Sequence, residues 1–366
     1  MTNLLILSSH SILEYDDLRL FHRLGYDVFM PGGYSNPSKP GETMRPALPE
    51  VPYRAELDDL CQEQRERHAG QPTDHGIIDW AKADLHPMLI DWADIIMVNC
   101  FPESWIGGNW NRIREKRVIW RTIGQSSPLT EHEMKRFEGL EIVRYSPAEK
   151  RAFEPLGVFA GEDAMIRFGK DADDYGPWTG TINRIGNVSQ NLDVRGDHCG
   201  LDFWREATAG LPTKPAGLGS ERLPNGTGTL TFDMLRDYYR RIRCLLYMGT
   251  QPASYTLSLM EAMLTGTPTL SIGPDGMWMP RLFEGHELAP WTAQDAASAR
   301  VWCQATLAHD PDAVGDTGVS PREESEHIRK RGIELFSYDV VGPQWVDFLG
   351  FPSTQSVEAR LMGSAA

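Results

Sequence analysis

Cysteine is scarce in this chain, and the glycine loops that many nucleotide enzymes use to hold phosphate are missing. The five cysteines, Cys61, Cys100, Cys199, Cys244 and Cys303, are odd in number and scattered, with no Cys-x-x-Cys pair. That spacing argues against a disulfide framework or a zinc site and fits a reducing cytoplasm. No apolar run approaches the ~20 residues of a membrane span. The opening Met-Thr-Asn-Leu-Leu-Ile-Leu-Ser-Ser-His lacks the basic start and long apolar stretch of a signal peptide, so it reads as a first core strand. No Gly-x-Gly-x-x-Gly follows that strand, and Walker Gly-Lys-Ser, Gly-x-Ser-x-Gly and His-Glu-x-x-His are also missing. Hydride-transfer, kinase, hydrolase and zinc-peptidase readings thereby lose their usual support. Cationic excess is lacking too. Lys+Arg 36 against Asp+Glu 51 leaves a net charge of −15, which disfavours nonspecific adhesion to nucleic acid or anionic membrane.

What the chain has is length and alternation. At 366 residues it exceeds the usual span of one hydrophobic core, so two domains are expected. Apolar stretches at Leu4–Ser8, Tyr26–Met30, Ile95–Asn99, Val118–Ile123 and Glu141–Tyr145 read as strands, with a helix at Ile12–Leu24. A Pro/Gly-rich loop follows Met30 and is long enough to be functional. A second series has strands at Thr181–Val188, Cys244–Met248 and Thr269–Ile272, and helices at Leu201–Ala209 and Phe232–Arg241. Such alternation predicts an α/β fold of two Rossmann-like, doubly wound domains facing a cleft. Their expected bounds are 1–170 and 171–340, followed by a tail over 341–366 that can pack back on the first domain. The polar stretch Phe168–Gly180 reads as the linker, and Asp171-Ala-Asp173 within it as solvated acid rather than a metal motif.

The segment 250–271 carries the strongest functional signal. Ser254 is a plausible N-cap, which would leave the N–H groups of Tyr255, Thr256 and Leu257 pointing out of a helix start. Together with the helix dipole, these amides suit a phosphate or diphosphate. Glu261 lies seven residues on, about 700° of rotation, and returns to the same face roughly 10 Å further along. A carboxylate there suits ribose hydroxyls. In the first half, Ser8–Ser11, Asn99–Trp105, Trp120–Gln125 and Arg144–Lys150 follow strands, where ligands of parallel sheets bind. Within them His10 could touch a sugar or phosphate or merely cap a helix, and Arg121 could face the cleft. The basic clusters at Arg112–Arg121, Arg236–Arg243 and Arg329–Arg331 are most simply charged helix faces.

The run Glu261-Ala-Met-Leu-Thr-Gly266-Thr-Pro268 resembles the Glu-x7-Glu region of retaining GT-B glycosyltransferases, especially glycosyltransferase family 4. Ala253 stands where that family has its first glutamate. A second match, Arg184-Ile-Gly186-Asn187-Val-Ser-Gln-Asn-Leu-Asp-Val-Arg195-Gly196, resembles the family's diphosphate-binding strand and loop. Asn187 replaces one basic residue there and Arg195 takes the place of a lysine, where a guanidinium can grip phosphate bidentately. The resemblance implies a glycosyltransferase using a nucleotide sugar, a UDP-sugar first. Gly186, Asn187, Arg195, Ser254, Tyr255, Thr256 and Glu261 would bind the donor, His10, Arg121 and Arg195 would act in catalysis, and no metal would be required. The chain also looks similar to bacteriophage-encoded members, which implies a host-cytoplasm setting and hydroxymethylated pyrimidines of DNA as one specific acceptor. A nucleotide-sugar epimerase, or a binding protein that has lost transfer, are the rival readings.

Overall fold

The computed structural model describes residues 1–8, 10–31, 45–67, 85–124, 126–250, 253, 255–272, 292–293, 295–312 and 320–351. The chain divides into two compact units, Met1–Gly169 with Val341–Ala366, and Lys170–Val340. The expected α/β architecture is present in both.

In the first unit the elements are β1 (Asn3–Leu7), α1 (Ser11–Arg23), β2 (Asp27–Phe29), α2 (Ala55–Arg67), α3 (Pro87–Trp92), β3 (Ile95–Val98), α4 (Gly108–Ile113), β4 (Arg117–Arg121), α5 (Pro128–Met134), β5 (Glu141–Arg144), α6 (Pro147–Phe153) and β6 (Ala164–Met165). The strands form one parallel sheet in the order β2-β1-β3-β4-β5-β6. Helices cover its central strands, so β3 is buried at every position and reads as an unbroken apolar run. The order reverses between β1 and β3, which makes the carboxyl ends of those strands the natural place for a ligand. The helix Tyr338–Leu349 runs across the boundary into this unit, where Trp345 is fully buried with its ring 5.2 Å from that of Phe21.

The second unit holds β7 (Ile182–Val188), α7 (Leu192–Arg195), α8 (Leu201–Thr208), β8 (Thr213–Ala216), α9 (Phe232–Arg241), β9 (Ile242–Tyr247), α10 (Leu257–Thr265), β10 (Thr269–Ile272), β11 (Thr292–Ala293) and two later helices, Ala296–Ala308 and Pro321–Phe336. Its sheet is also parallel, in the order β11-β10-β9-β7-β8, and reverses between β7 and β9. α10 stops at Gly266, whose φ of +80° suits glycine, and the Thr267 N–H reaches back to the Ala262 carbonyl at 2.9 Å. A Cβ at Gly266 would sit 2.6 Å from the Ser325 carbonyl oxygen, so the turn also lets the next helix approach closely.

Two expectations are corrected here. The boundary between the units falls inside the expected linker Phe168–Gly180, after Gly169, but the stretch is packed rather than loose: Lys170, Tyr175 and Trp178 are buried, and the Trp178 indole N–H donates to the Ile242 carbonyl at 2.7 Å. Large aromatics among the acids supply the burial that a mobile linker lacks. α10 begins at Leu257 with Thr256 as N-cap, two residues later than expected, while Ser254 lies outside the described residues. The cause is the Tyr247 hydroxyl, which accepts the Thr256 N–H at 2.8 Å and holds that residue extended (φ −121°, ψ 167°). The long Pro/Gly-rich loop after Met30 lies almost wholly outside the described residues.

Under β4 and β5 sits a buried polar layer. Arg144 donates to both oxygens of Glu131 at 2.6 and 2.8 Å, with both side chains fully enclosed. Beside it, burial pushes the Glu149 carboxyl up to about 8, although the Arg144 charge and the Thr122 hydroxyl pull the other way. The folded protein therefore keeps a proton that the unfolded chain releases above about 4.5. That contribution to stability is complete at acid pH and is lost as pH rises through about 8. Glu149→Gln should remove the loss. Chemical denaturation at pH 5 and pH 8.5 is expected to show a decline smaller by on the order of 2–4 kcal/mol in the variant than in the parent. Parallel profiles would sink this assignment.

Candidate functional site

In the second unit the loops after β7 and β9 emerge side by side at the carboxyl end of the sheet, where the strand order reverses. After β7 the chain turns through Asn191 (φ +51°), whose N–H donates to the Leu218 carbonyl at 2.6 Å, and enters the single turn of α7. After β9 it turns through Gly249 (φ +73°) toward α10. The two loops touch: the Cys199 sulfur lies 3.8 Å from the Thr250 hydroxyl, and Gly200 packs on Met248.

Arg195 ends α7 and is exposed, and among the described residues no carboxylate pairs with it. At the start of α10 the amides of Leu257 and Ser258 lead the helix and lack intrahelical acceptors. The Thr256 N–H is already taken by Tyr247, and the Thr256 hydroxyl lies 3.0 Å from the Tyr247 hydroxyl and 2.8 Å from that of Ser258. The Tyr255 ring is buried, 5.4 Å from that of Phe336, so only its backbone is placed for a ligand.

Glu261 sits one turn into α10 and is only 3% exposed, with Lys170 Nζ 3.0 Å from its Oε1. Lys170 itself is fully enclosed. A buried carboxylate is stable as an anion only when paired, and Lys170 supplies that partner. The backbone of Lys170 is fixed as well: its N–H donates to the Phe336 carbonyl at 2.8 Å, and its carbonyl accepts the Tyr338 N–H at 3.0 Å. Sequence reasoning missed Lys170. The only cue was a lone cation in the acidic run Gly169-Lys-Asp-Ala-Asp-Asp.

Other expected site residues are placed elsewhere. Gly186 lies inside β7, where an added Cβ would come within 2.6 Å of the Tyr238 hydroxyl, so its smallness serves packing. Asn187 is buried in the same strand and donates to the Leu246 carbonyl at 3.1 Å. Both lie near the carboxyl end of β7, inside the strand expected at Thr181–Val188. In the first unit Arg121 is 0% exposed. Its guanidinium donates to Asp17 at 2.6 and 2.7 Å and lies over the rings of Phe168 (4.9 Å) and Trp345 (5.2 Å). It is an enclosed, ion-paired cation of the first unit rather than a side chain exposed after its strand, which corrects the expected placement. His10 caps α1, its Nδ1 accepting the Leu13 N–H at 3.4 Å.

The basic clusters are largely matched by local acids. Arg117 pairs with Glu141 at 2.7 Å, Arg236 with Asp233 at 2.5 Å, Arg240 with Asp237 at 2.7 Å and Arg331 with Glu334 at 2.6 Å. Among the described residues no group of three or more His, Cys, Asp or Glu could hold a metal ion, and no helix is long and apolar enough to cross a membrane.

No protein-family model matches the chain, and no curated protein matches it in sequence. Solved structures do match. Sucrose-phosphate synthase from Thermosynechococcus elongatus superposes with a TM-score of 0.61 at 14% identity, covering 100% of both chains. HepE from Anabaena in complex with UDP-glucose gives 0.62 at 12% identity over 95% of this chain and 99% of that one. A glycosyltransferase from Rickettsia africae gives 0.62 at 11% identity over 95% and 97%. The fold is that of the GT-B glycosyltransferases. At these identities the likeness concerns the GT-B fold alone.

Proposed function

We propose that the chain is a GT-B glycosyltransferase that takes a nucleoside-diphosphate sugar, a UDP-sugar first, at the β7/β9 end of its second unit. The observation that carries this reading is Glu261, a carboxylate seated by Lys170 one turn inside the helix that leaves the strand-order reversal. Arg195 and the first amides of α10 would neutralise the diphosphate, most strongly as charge develops on the leaving group. Glu261 would accept the ribose hydroxyls. With the Arg195 guanidinium and the amides of the helix start at the diphosphate, a metal would not be needed. HepE, of like fold, has been crystallised with UDP-glucose, with UDP, and with UDP and glucose, which favours UDP as the carrier. Retention of configuration is what the family 4 resemblance implies, with Ala253 at the place of that family's first glutamate. The first unit would serve the acceptor, with His10 near the end of β1, and phage DNA bearing hydroxymethylated pyrimidine is one specific acceptor to test.

The test is binding, then turnover. UDP at about 100 times its dissociation constant should stabilise the protein by about 2.7 kcal/mol, and UDP-glucose should release UDP when an acceptor is supplied. Arg195→Ala should weaken UDP by about 10–100-fold, the worth of a charge-assisted phosphate contact. Absence of stabilisation by any nucleoside diphosphate would overturn the reading. Release of UDP on addition of hydroxymethylated DNA, and not unmodified DNA, would establish that acceptor.

A further inference from the structure

The carboxyl ends of β3 and β4, in the first unit, enclose a cavity of about 190 Å³ whose lining includes Asn99, Phe101, Glu103, Trp120 and Thr130. It adjoins the point where that sheet reverses its strand order. Three features meet at its rim within seven residues. Phe101 has φ +50°, a left-handed conformation that costs an L side chain roughly 1–2 kcal/mol. The residue is nonetheless 42% exposed, so core burial does not repay the strain. Directly after it, Glu103–Gly107 forms a π-helical turn, a rare element that concentrates at functional sites.

The polar groups of the cavity define what fits. Glu103 Oε1 accepts the Thr130 hydroxyl, so the carboxylate is oriented by a partner. Asn99 gives its amide N–H to Asp17 Oδ2 at 3.2 Å, which leaves Oδ1 as an acceptor without a partner in the cavity wall. The Glu103 carboxylate and Asn99 Oδ1 accept, which suits a molecule that donates hydrogen bonds, the Ser126 hydroxyl in the same lining can donate or accept, and no cation among the lining residues would hold a phosphate. The Phe101 ring and the enclosed Trp120 supply an apolar wall.

The geometry points to this cavity as an acceptor pocket for a sugar ring, with ring C–H groups on Phe101 and hydroxyls donating to Glu103. This assignment rests on the glycosyltransferase reading and specifies its acceptor as carbohydrate. The left-handed Phe101 holds an apolar face open beside a carboxylate, and that pairing recognises a neutral polyol rather than an anion.

The test uses the full chain and methyl α-glucopyranoside at millimolar concentration, followed by saturation-transfer NMR. The wild type should give ring-proton signals, and Phe101→Gly and Glu103→Gln should each weaken binding at least about tenfold. Phe101→Gly should also leave the melting temperature unchanged or raised, because glycine relieves the strained φ. A purely structural Phe101 would instead lower it. Glucoside signals that persist in both variants, absence of signal in the wild type, or selective binding of methylammonium or of hydroxymethyl-deoxycytidine would overturn the proposal. UDP stabilisation, measured in parallel, should be unchanged by either substitution. Its failure in the wild type would remove the donor reading while the glucoside result stands on its own.

Discussion

Lys170→Met is expected to cost about 3–5 kcal/mol of stability and to weaken UDP binding by at least about 100-fold. The substitution leaves the Glu261 carboxylate enclosed without its cation. The protein then has two options, to protonate Glu261 or to open the start of α10 to water, and both spoil a ribose-binding carboxylate. The first option makes the deficit depend on pH. Burial without Lys170 raises the folded-state pKa of Glu261, so the variant regains stability as pH falls and loses it as pH rises. A second substitution separates folding from binding. In Lys170→Met/Glu261→Met no charge is buried, and stability should return close to the parent, because an apolar pair of similar volume often replaces an ion pair at little cost. UDP affinity should not return. Denaturant titration and calorimetric binding measure both quantities. A Lys170→Met protein that binds UDP like the parent would remove Glu261 from the donor site.

The second large effect belongs to the first unit. Glu131→Ala should destabilise it by about 3–5 kcal/mol, a large share of the 5–15 kcal/mol typical of a domain. Arg144 would lose its bidentate partner while enclosed between Trp120 and Phe159, at 5.1 and 4.4 Å. The Ala160 N–H would lose its acceptor as well, a bond of 2.9 Å to the same carboxylate. Glu131→Gln should cost less, because its amide oxygen still accepts from Arg144 and its shape is kept. Urea unfolding followed by tryptophan fluorescence checks the order Ala below Gln below parent. Equal stability of all three proteins would refute a structural role for this pair.

Much of the fold was legible because the strongest local signals agree with burial. α9 has the bounds that its pattern predicts, Phe232–Arg241, with Thr231 capping it, Asp233 in its first turn and arginines in its last. β10 likewise runs Thr269–Ile272, directly after Pro268. β8 was missed because Pro215 and Lys214 disguise it. A proline is tolerated there because β8 is an edge strand. The donor region was legible where residues project beyond strand ends, as Arg195 and α10 do. At Gly186 and Asn187 the strand was legible, whereas their contacts with Tyr238 and the Leu246 carbonyl, made by residues distant in sequence, were not. The exposure expected of Arg121 failed because of a distant partner. An arginine at a strand end looks ready for a ligand until Asp17, more than a hundred residues away in sequence, claims it. Such long-range pairing leaves no local trace. Phe101 left no local cue, since the proline after it favours an extended conformation rather than the positive φ observed.

The bridge between Lys170 and Ser337 has a further consequence. The second unit starts and finishes within hydrogen-bonding reach of itself, so its 171 residues, Lys170–Val340, form a closed excursion from the chain of the first. An excursion that opens and closes at one spot can be gained, lost or exchanged during evolution with little disturbance to the chain that hosts it. The residue at that gate is also the counter-ion of Glu261, so an exchange that replaced Lys170 would import a new partner for the carboxylate at the same stroke.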